Sequence, residues 1–460
     1  MPAPETMRHA RDVLRRELRP TLRLALPLVV AEISWMCMGI VDTLMVGRLP
    51  QSAIAIAAVS LGSSLYYTLA IFGSGLLLGM DTLVSHAFGR EDLDEARRLL
   101  ACGVFLALAL TPPLMLAIYF WPPIVAWIGV KPEVLEPMRP FLATLNWGTL
   151  PLLLYFAFRR YLQAVNVVKP VTFAMISANI VNAVANWVFI YGHWGAPRLG
   201  VTGSGISTLI ARTYMALVMV ITAVHFQRRH PARAAFDVDF QRLRRLLALG
   251  LPGATQFLLE VGVFAAVSAL IGKLGAVALA GHQIALNCAS LTYMVPLGFA
   301  SAAAVRVGNN LGRGDPVAAR EAGWAAILLG TGFMTCAGVV LVSVPRIIAR
   351  AFSPDPAVIA AATTLLLIAA AFQLFDGLQT VTTGALRGAG DTRTPMIANF
   401  IAYWIIGLPL GMLLCFRMGW GAPGLWAGLC LGLILIGSSL LWVWHRRMWT
   451  DVAISAQAFR

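Results

Sequence analysis

LPGATQFLLEVGVFAAVSALIGK, residues 251–273, decides how the chain must fold. The stretch is apolar along its length and carries a single acid, Glu260, near its middle. At about 1.5 Å per residue, a helix of this length crosses a hydrocarbon layer roughly 30 Å thick. An ionisable side chain at that depth is costly and marks a candidate functional site. The alternative is a structural acid bonded to a neighbouring helix.

Similar runs recur on both sides of it. Twelve spans are expected, at 21–46, 52–80, 97–121, 139–164, 169–191, 200–226, 246–273, 276–304, 320–345, 359–384, 395–418 and 423–447. The runs are continuous rather than alternating, so they read as helices and not as strands of a closed barrel. The composition agrees: of 460 residues, 59% are hydrophobic and 12% charged, where a soluble domain carries about 25% charge. The expected fold is an all-α polytopic membrane protein. The net charge of +14 does not point to nucleic acid, because the basic residues sit in short loops between apolar runs. All six cysteines lie inside apolar runs and read as small buried side chains. The basic N-terminus leads directly into a full-length span, so no cleaved signal peptide is expected.

Alternating the loops divides Lys and Arg twenty-six to eight, with Arg212 inside a span. The richer side holds residues 8–23, Arg90, Arg97, Arg98, Arg159, Arg160, Lys169, residues 228–245, Arg306, Arg313, Arg320, Arg387, Arg393, Arg446, Arg447 and Arg460. Positive loops face the cytoplasm, so both termini are expected there.

The chain also repeats itself. LALP at 24–27 returns as LGLP at 249–252, and Gly89-Arg90-Glu91-Asp92 returns as Gly312-Arg313-Gly314-Asp315. Leu162 to Pro170 returns as Leu386 to Pro395, and Gly195-Ala196-Pro197 as Gly421-Ala422-Pro423. Each repeat holds six spans, so the halves enter the membrane in the same sense. They are expected as two six-helix bundles related by a pseudo-twofold axis along the membrane normal, a transporter plan in which a central cleft opens to either side. The expected division is an N-terminal lobe 1–227, a basic cytoplasmic linker 228–245 and a C-terminal lobe 246–460. Pro27 and Pro252 stand at matching positions near the starts of spans 1 and 7, and Pro296 lies inside span 8. Proline removes a backbone bond and bends a helix.

Few acids lie within the spans. Glu260 and Asp376 belong to the second half; two carboxylates in a low-dielectric bundle can bind Na⁺ through oxygen or can take up protons. Asp42 lies in the first half, with Asn182 and Asn186 four residues apart on one helical face, where amides can hydrogen-bond the acid. Glu32 lies nearer the middle of span 1 and needs a cavity or a partner; it can attract cationic substrates. His282 and Gln283 open span 8 and can form a polar lining near Glu260. Asp81 and His86 read as snorkelling or capping groups at a helix end, and Arg306 and Arg387 as anchors. There is no GxxxxGK[ST], HExxH, GxSxG or metal-spaced Cys/His cluster, so neither an enzyme nor a bound cofactor is expected.

GIVDTLMVGRL at 39–49, LEVGVFAAVSALIGKLGAVALAGHQIALN at 259–287, AAVRVGNNLGRGD at 303–315, FQLFDGLQTVTTGALRGAGD at 372–391 and NWVFIYGHWGAPRLGVTGSGIST at 186–208 carry a resemblance. The chain resembles the multidrug and toxic compound extrusion (MATE) family, in its NorM-like bacterial branch, over nearly its whole length. The resemblance implies a secondary antiporter in a bacterial inner membrane, exporting cationic or amphipathic drugs in exchange for Na⁺ or H⁺ and acting as a monomer. It implies cation coupling at Glu260 and Asp376, and roles for Asp42, Asn182 and Asn186 in the first lobe. Some relatives carry a tyrosine one turn before the span-10 acid; here it is Phe372, which removes a hydroxyl from that site. Glu32 is an acid the family does not lead one to expect. A flippase for lipid-linked precursors is the alternative within the superfamily. It favours an arginine-rich cavity to hold pyrophosphate, whereas these spans read as acid-bearing and almost free of arginine.

Overall fold

The computed structural model describes residues 4–127, 129–231 and 236–458, with side chains described for 17–127, 129–231 and 236–448. Arg8, Arg11, Arg15, Arg16, Arg233 and Arg460, which entered the charge asymmetry, lie outside the described side chains.

No strand occurs among the described residues. In chain order the helices are α1 (Pro4–Val46), α2 (Ser52–Leu76), α3 (Gly79–Gly89), α4 (Leu93–Tyr119), α5 (Trp121–Trp127), α6 (Pro132–Trp147), α7 (Thr149–Ala164), α8 (Lys169–Tyr191) and α9 (Val201–Arg229). The second half supplies α10 (Phe240–Gly272), α11 (Ala276–Gly312), α12 (Pro316–Ser343), α13 (Pro345–Phe352), α14 (Pro356–Gly388), α15 (Arg393–Arg417) and α16 (Ala422–Ala458). Among the described residues, eleven helical stretches are long and apolar enough to cross a membrane. Counted as one broken span, the pair α6 and α7, bent by 42° at Gly148, brings the number to twelve.

The duplication reaches the backbone. Asp92 caps α4 by accepting from the Glu95 amide at 2.9 Å, and Asp315 caps α12 by accepting from Ala318 at 2.9 Å. A carboxylate at that position satisfies an amide the helix start leaves unpaired. Glu91 and Gly314, one residue before each cap, are both left-handed, with φ of 61° and 76°.

By contact, Val30–Ala254 form one compact unit. Residues through Val29 form the other, together with Thr255 onward. These units do not part at the expected 228–245 linker. The reason is that α1 and α10 each change unit partway along. The changes fall between Val29 and Val30 and between Ala254 and Thr255, two residues beyond Pro27 and Pro252. The first part of α1 thus packs with the second sequence half, and the first part of α10 with the first half.

Close backbone approach makes the exchange possible. A Cβ on Gly75 of α2 would come within 2.6 Å of the Ala254 Cα, and one on Gly298 of α11 within 2.7 Å of the Val29 amide nitrogen. Ion pairs hold the exchanged parts. Arg306 of α11 bonds Glu17 and, at 2.8 Å, the Thr21 hydroxyl of α1. Arg242 of α10 bonds Glu95 of α4 at 2.8 Å and Asp239 at 2.9 Å.

Arg159 and Arg160, counted among the charges of the richer side, lie inside the expected span 139–164, where α7 runs on to Ala164 and buries both. Arg387 is buried too, so the spans are not nearly free of arginine as expected. Asp81 is also buried and bonds Arg160 at 3.1 Å, rather than reaching water at a helix end. Cys37 and Cys336 are exposed, unlike the buried positions expected for all six cysteines.

Candidate functional site

Each unit holds its own polar cluster. In the Val30–Ala254 unit the centre is Asp42, near the end of α1. Its Oδ1 accepts from Asn186 Nδ2 at 2.6 Å and its Oδ2 from the Thr208 hydroxyl at 3.2 Å. Asn186 Nδ2 also reaches Asn182 Oδ1 at 3.1 Å. The two amides sit one turn apart on α8, so the helix itself sets their spacing. Both are fully buried, and Asn182 Nδ2 and Asn186 Oδ1 have no partner within the chain. Buried amide atoms without partners are rare, which marks this cluster as a place for a further polar ligand or water. One turn beyond Thr208, Arg212 donates to the Tyr67 hydroxyl at 3.2 Å and lies 4.4 Å from the Tyr66 ring centre. The aromatic faces and the guanidinium satisfy each other.

Glu32 lies two turns and more before Asp42 on the same helix but does not join this cluster. It bonds Arg159 of α7, which also donates to Tyr155 Oη at 3.4 Å. A carboxylate already neutralised by a buried guanidinium is not a free attractor for a cationic substrate. Its partner was missed because two adjacent arginines near the end of span 139–164 read only as charges that set membrane orientation.

In the second unit, Glu260 and Asp376 are both buried and interact electrostatically. Glu260 Oε1 accepts from Gln379 Nε2 at 3.1 Å. Gln379 is one turn beyond Asp376 on α14, so one amide serves both helices. Its Oε1 is left without a partner. Two more residues close in from α15, where Phe400–Gly407 is π-helical. A π-turn closes its backbone bonds over an extra residue, widening the helix, and such turns concentrate at functional sites. Here it presents consecutive aromatics to α10. Trp404 Nε1 donates to the Leu259 carbonyl at 3.1 Å, immediately before Glu260. Tyr403 is fully buried, lies within electrostatic range of both acids, and its hydroxyl has no partner.

The last helix makes room for this. Gly424, Gly428 and Gly432 of α16 form a ridge at four-residue spacing, the pattern that lets membrane helices approach closely. A Cβ on Gly428 would stand 2.3 Å from the Gly407 carbonyl oxygen, and one on Gly432 would stand 2.9 Å from the Tyr403 ring.

The remaining expectations separate. Gln283 is exposed on α11, whereas Glu260 is buried. Its neighbour His282 is buried: its Nε2 lies 2.7 Å from the Ser268 hydroxyl, and its Nδ1 accepts from the Trp426 indole at 3.0 Å. An indole nitrogen can only donate, so Nδ1 must be the bare nitrogen. Phe372 is buried and stacks on Trp426, with ring centres 5.4 Å apart. Gln379, Tyr403 and Trp404 were not singled out from the sequence. A glutamine one turn past Asp376 was the available signal; a tyrosine in an apolar run gives none.

The MatE family model matches the chain twice, at residues 27–188 and 252–413. The two matches are offset by the spacing of the internal repeat. "Probable multidrug resistance protein NorM" of Brucella suis biovar 1 is 36% identical over 453 residues, covering 96% of this chain and 95% of the relative. The protein of that name from Mesorhizobium japonicum is 37% identical over 446 residues, covering 95% of each. Among solved structures, the eukaryotic MATE transporter AtDTX14 superposes with a TM-score of 0.87 at 21% identity, over 96% of this chain and 99% of that one.

Proposed function

Because this chain belongs to the MatE family and is a multidrug efflux transporter working as an ion-coupled antiporter, we propose that its two buried polar clusters divide the task. Glu260 and Asp376 take up and release the coupling ion, either Na⁺ or H⁺. Asp42, with Asn182, Asn186 and Thr208, supports a cationic passenger by offering one acid and unsaturated amide atoms. The observation that carries this reading is the burial of Glu260 and Asp376 beside one another with only neutral hydrogen-bond partners between them. Two carboxylates held together in low dielectric favour a cation or proton in their company. The acids used by the structural ion pairs, Glu32 and Asp81, are already matched by arginines and need no such ion.

The residue types fit an oxygen-liganded ion: two buried carboxylates within electrostatic range of one another, and near them an amide oxygen and a phenolic hydroxyl without partners. A bound Na⁺ would supply positive charge that holds both carboxylates ionised; an arriving proton would neutralise one of them. The chain's own work is to desolvate the ion and fix the oxygens. We read the lobes 1–227 and 246–460 as the repeated halves of the transport cycle, acting as a monomer in a bacterial inner membrane. The asymmetry of Lys and Arg supports placing both termini in the cytoplasm.

The test is efflux of a cationic dye from proteoliposomes. Glu260→Gln and Asp376→Asn should each abolish ion-driven export while the protein still inserts and purifies. Full export by both variants would remove the coupling assignment. The flippase reading predicts instead that a pyrophosphate-linked lipid competes with the dye, which the antiporter reading does not.

A further inference from the structure

Tyr403 Oη and Gln379 Oε1 are oxygens of buried side chains with no partner, both beside the acid pair. A buried polar atom without a hydrogen bond costs stability and calls for a reason. Here the two atoms are neutral oxygens, and the groups around them differ in what they need. A site that only exchanges protons is complete with two carboxylates. A site that strips water from a metal cation must replace that water with several oxygens. No group of three or more His, Cys, Asp or Glu side chains stands close enough together among the described residues to hold a metal. Any further ligands must therefore be neutral.

From this we propose that Tyr403 and Gln379 are ligands of the coupling ion, completing with Glu260 and Asp376 an oxygen shell for dehydrated Na⁺. The proposal rests on the reading of the acid pair as the coupling site. Tyr403 supplies, from α15, the hydroxyl that Phe372 does not supply from α14. Phe372 points elsewhere, stacked on Trp426. The π-turn is the device that delivers it: Trp404 anchors the turn to the Leu259 carbonyl of α10, and Tyr403 beside it, its ring 6.2 Å from that of Phe264 on the same helix, lies within electrostatic range of both acids. Gln379 is oriented by the same logic. Its amide nitrogen is engaged by Glu260 at 3.1 Å, which turns its oxygen away from that bond and leaves it available.

The test uses the full chain, purified in detergent and then reconstituted. Thermal unfolding is followed while NaCl replaces choline chloride at constant ionic strength, giving a binding midpoint without transport. In parallel, dye efflux is driven by an imposed Na⁺ gradient or an imposed pH gradient. The wild type should be stabilised by Na⁺ and driven by it. Tyr403→Phe and Gln379→Leu should each raise the Na⁺ midpoint about ten-fold or more, as expected for losing one buried ligand. Tyr403→Phe should keep the unfolding temperature seen in choline, whereas Gln379→Leu should lower it by removing the donor to Glu260, so its Na⁺ midpoint is read relative to its own value in choline. Absence of a Na⁺ effect on the wild type, or unchanged midpoints in both variants, overturns the proposal. Glu260→Gln and Asp376→Asn separate the two levels of the argument. If these abolish ion-driven export while Tyr403→Phe and Gln379→Leu leave the Na⁺ midpoint unmoved, the acid pair stands and the neutral ligands fall. If export survives in the acid variants, both fall together.

Discussion

Glu17 and Arg242 occupy equivalent positions of the two repeats, 225 residues apart, and carry opposite charges. Glu17 pairs with Arg306, and Arg242 pairs with Glu95. Each pair ties the first part of a helix to the other half of the sequence. The partners are not equivalent: Arg306 stands where the first repeat has Leu83, and Glu95 where the second has Ala318, so each repeat ties down its leading helix with an ion pair of its own.

This makes a charge-swap experiment decisive. Arg242→Glu should lower the unfolding temperature by placing like charges together, and Arg242→Glu with Glu95→Arg should recover most of the loss. The pair is only partly buried, so a double-mutant cycle should return a coupling of about 1 kcal/mol. Additive effects of the two substitutions would show that the bond does not hold the helix.

Glu32→Gln should be strongly destabilising, because it leaves Arg159 buried without its counter-charge. Breaking such a pair costs roughly 3–5 kcal/mol. Glu32→Gln combined with Arg159→Met should restore yield and thermal stability, since a matched apolar replacement removes the uncompensated charge. Dye export by the double variant should then approach that of the wild type. A well-folded double variant unable to export would return Glu32 to the transport machinery.

Asn186→Leu should impair export with little change in folding. It removes the 2.6 Å donor to Asp42 and the partner of Asn182 in a single substitution. Thr208→Val, which removes the longer 3.2 Å contact, should have the smaller effect. The ratio of export rates at equal protein level checks this ordering.

Gly428→Leu should reduce the amount of folded protein and the thermal stability of what remains. Its side chain must displace the Gly407 carbonyl and with it the π-helical turn. Gly272→Ala is the control, since nothing stands within 4 Å of a Cβ added there. Fluorescence-detected size exclusion compares the two directly.

The hydropathy runs made the helical spans readable, because a membrane requires about twenty apolar residues in succession. The repeat was readable because its anchors are turn residues, whose backbone demands survive when apolar residues drift. The matching caps at Asp92 and Asp315 are those demands made visible. The exchange of α1 and α10 was not readable. Hydropathy says that a helix is buried in an apolar environment and nothing of which neighbours it packs against.

The same division runs through the site. Glu260, Asp376 and Asp42 stood out because an acid inside a span is expensive. Tyr403 and Gln379 did not, because either residue is unremarkable there until its oxygen is seen to lack a partner. The π-turn has no sequence signature of its own; it depends on the glycine ridge of a different helix.

The crossing of α1 and α10 also bears on ancestry. A single ancestral repeat with this topology would have been incomplete alone, its leading segment seated in a second copy. Two copies joined in one polypeptide keep that exchange within a single chain. Fragments made by cutting the chain between α9 and α10 should accordingly fail to mature singly and recover when coexpressed.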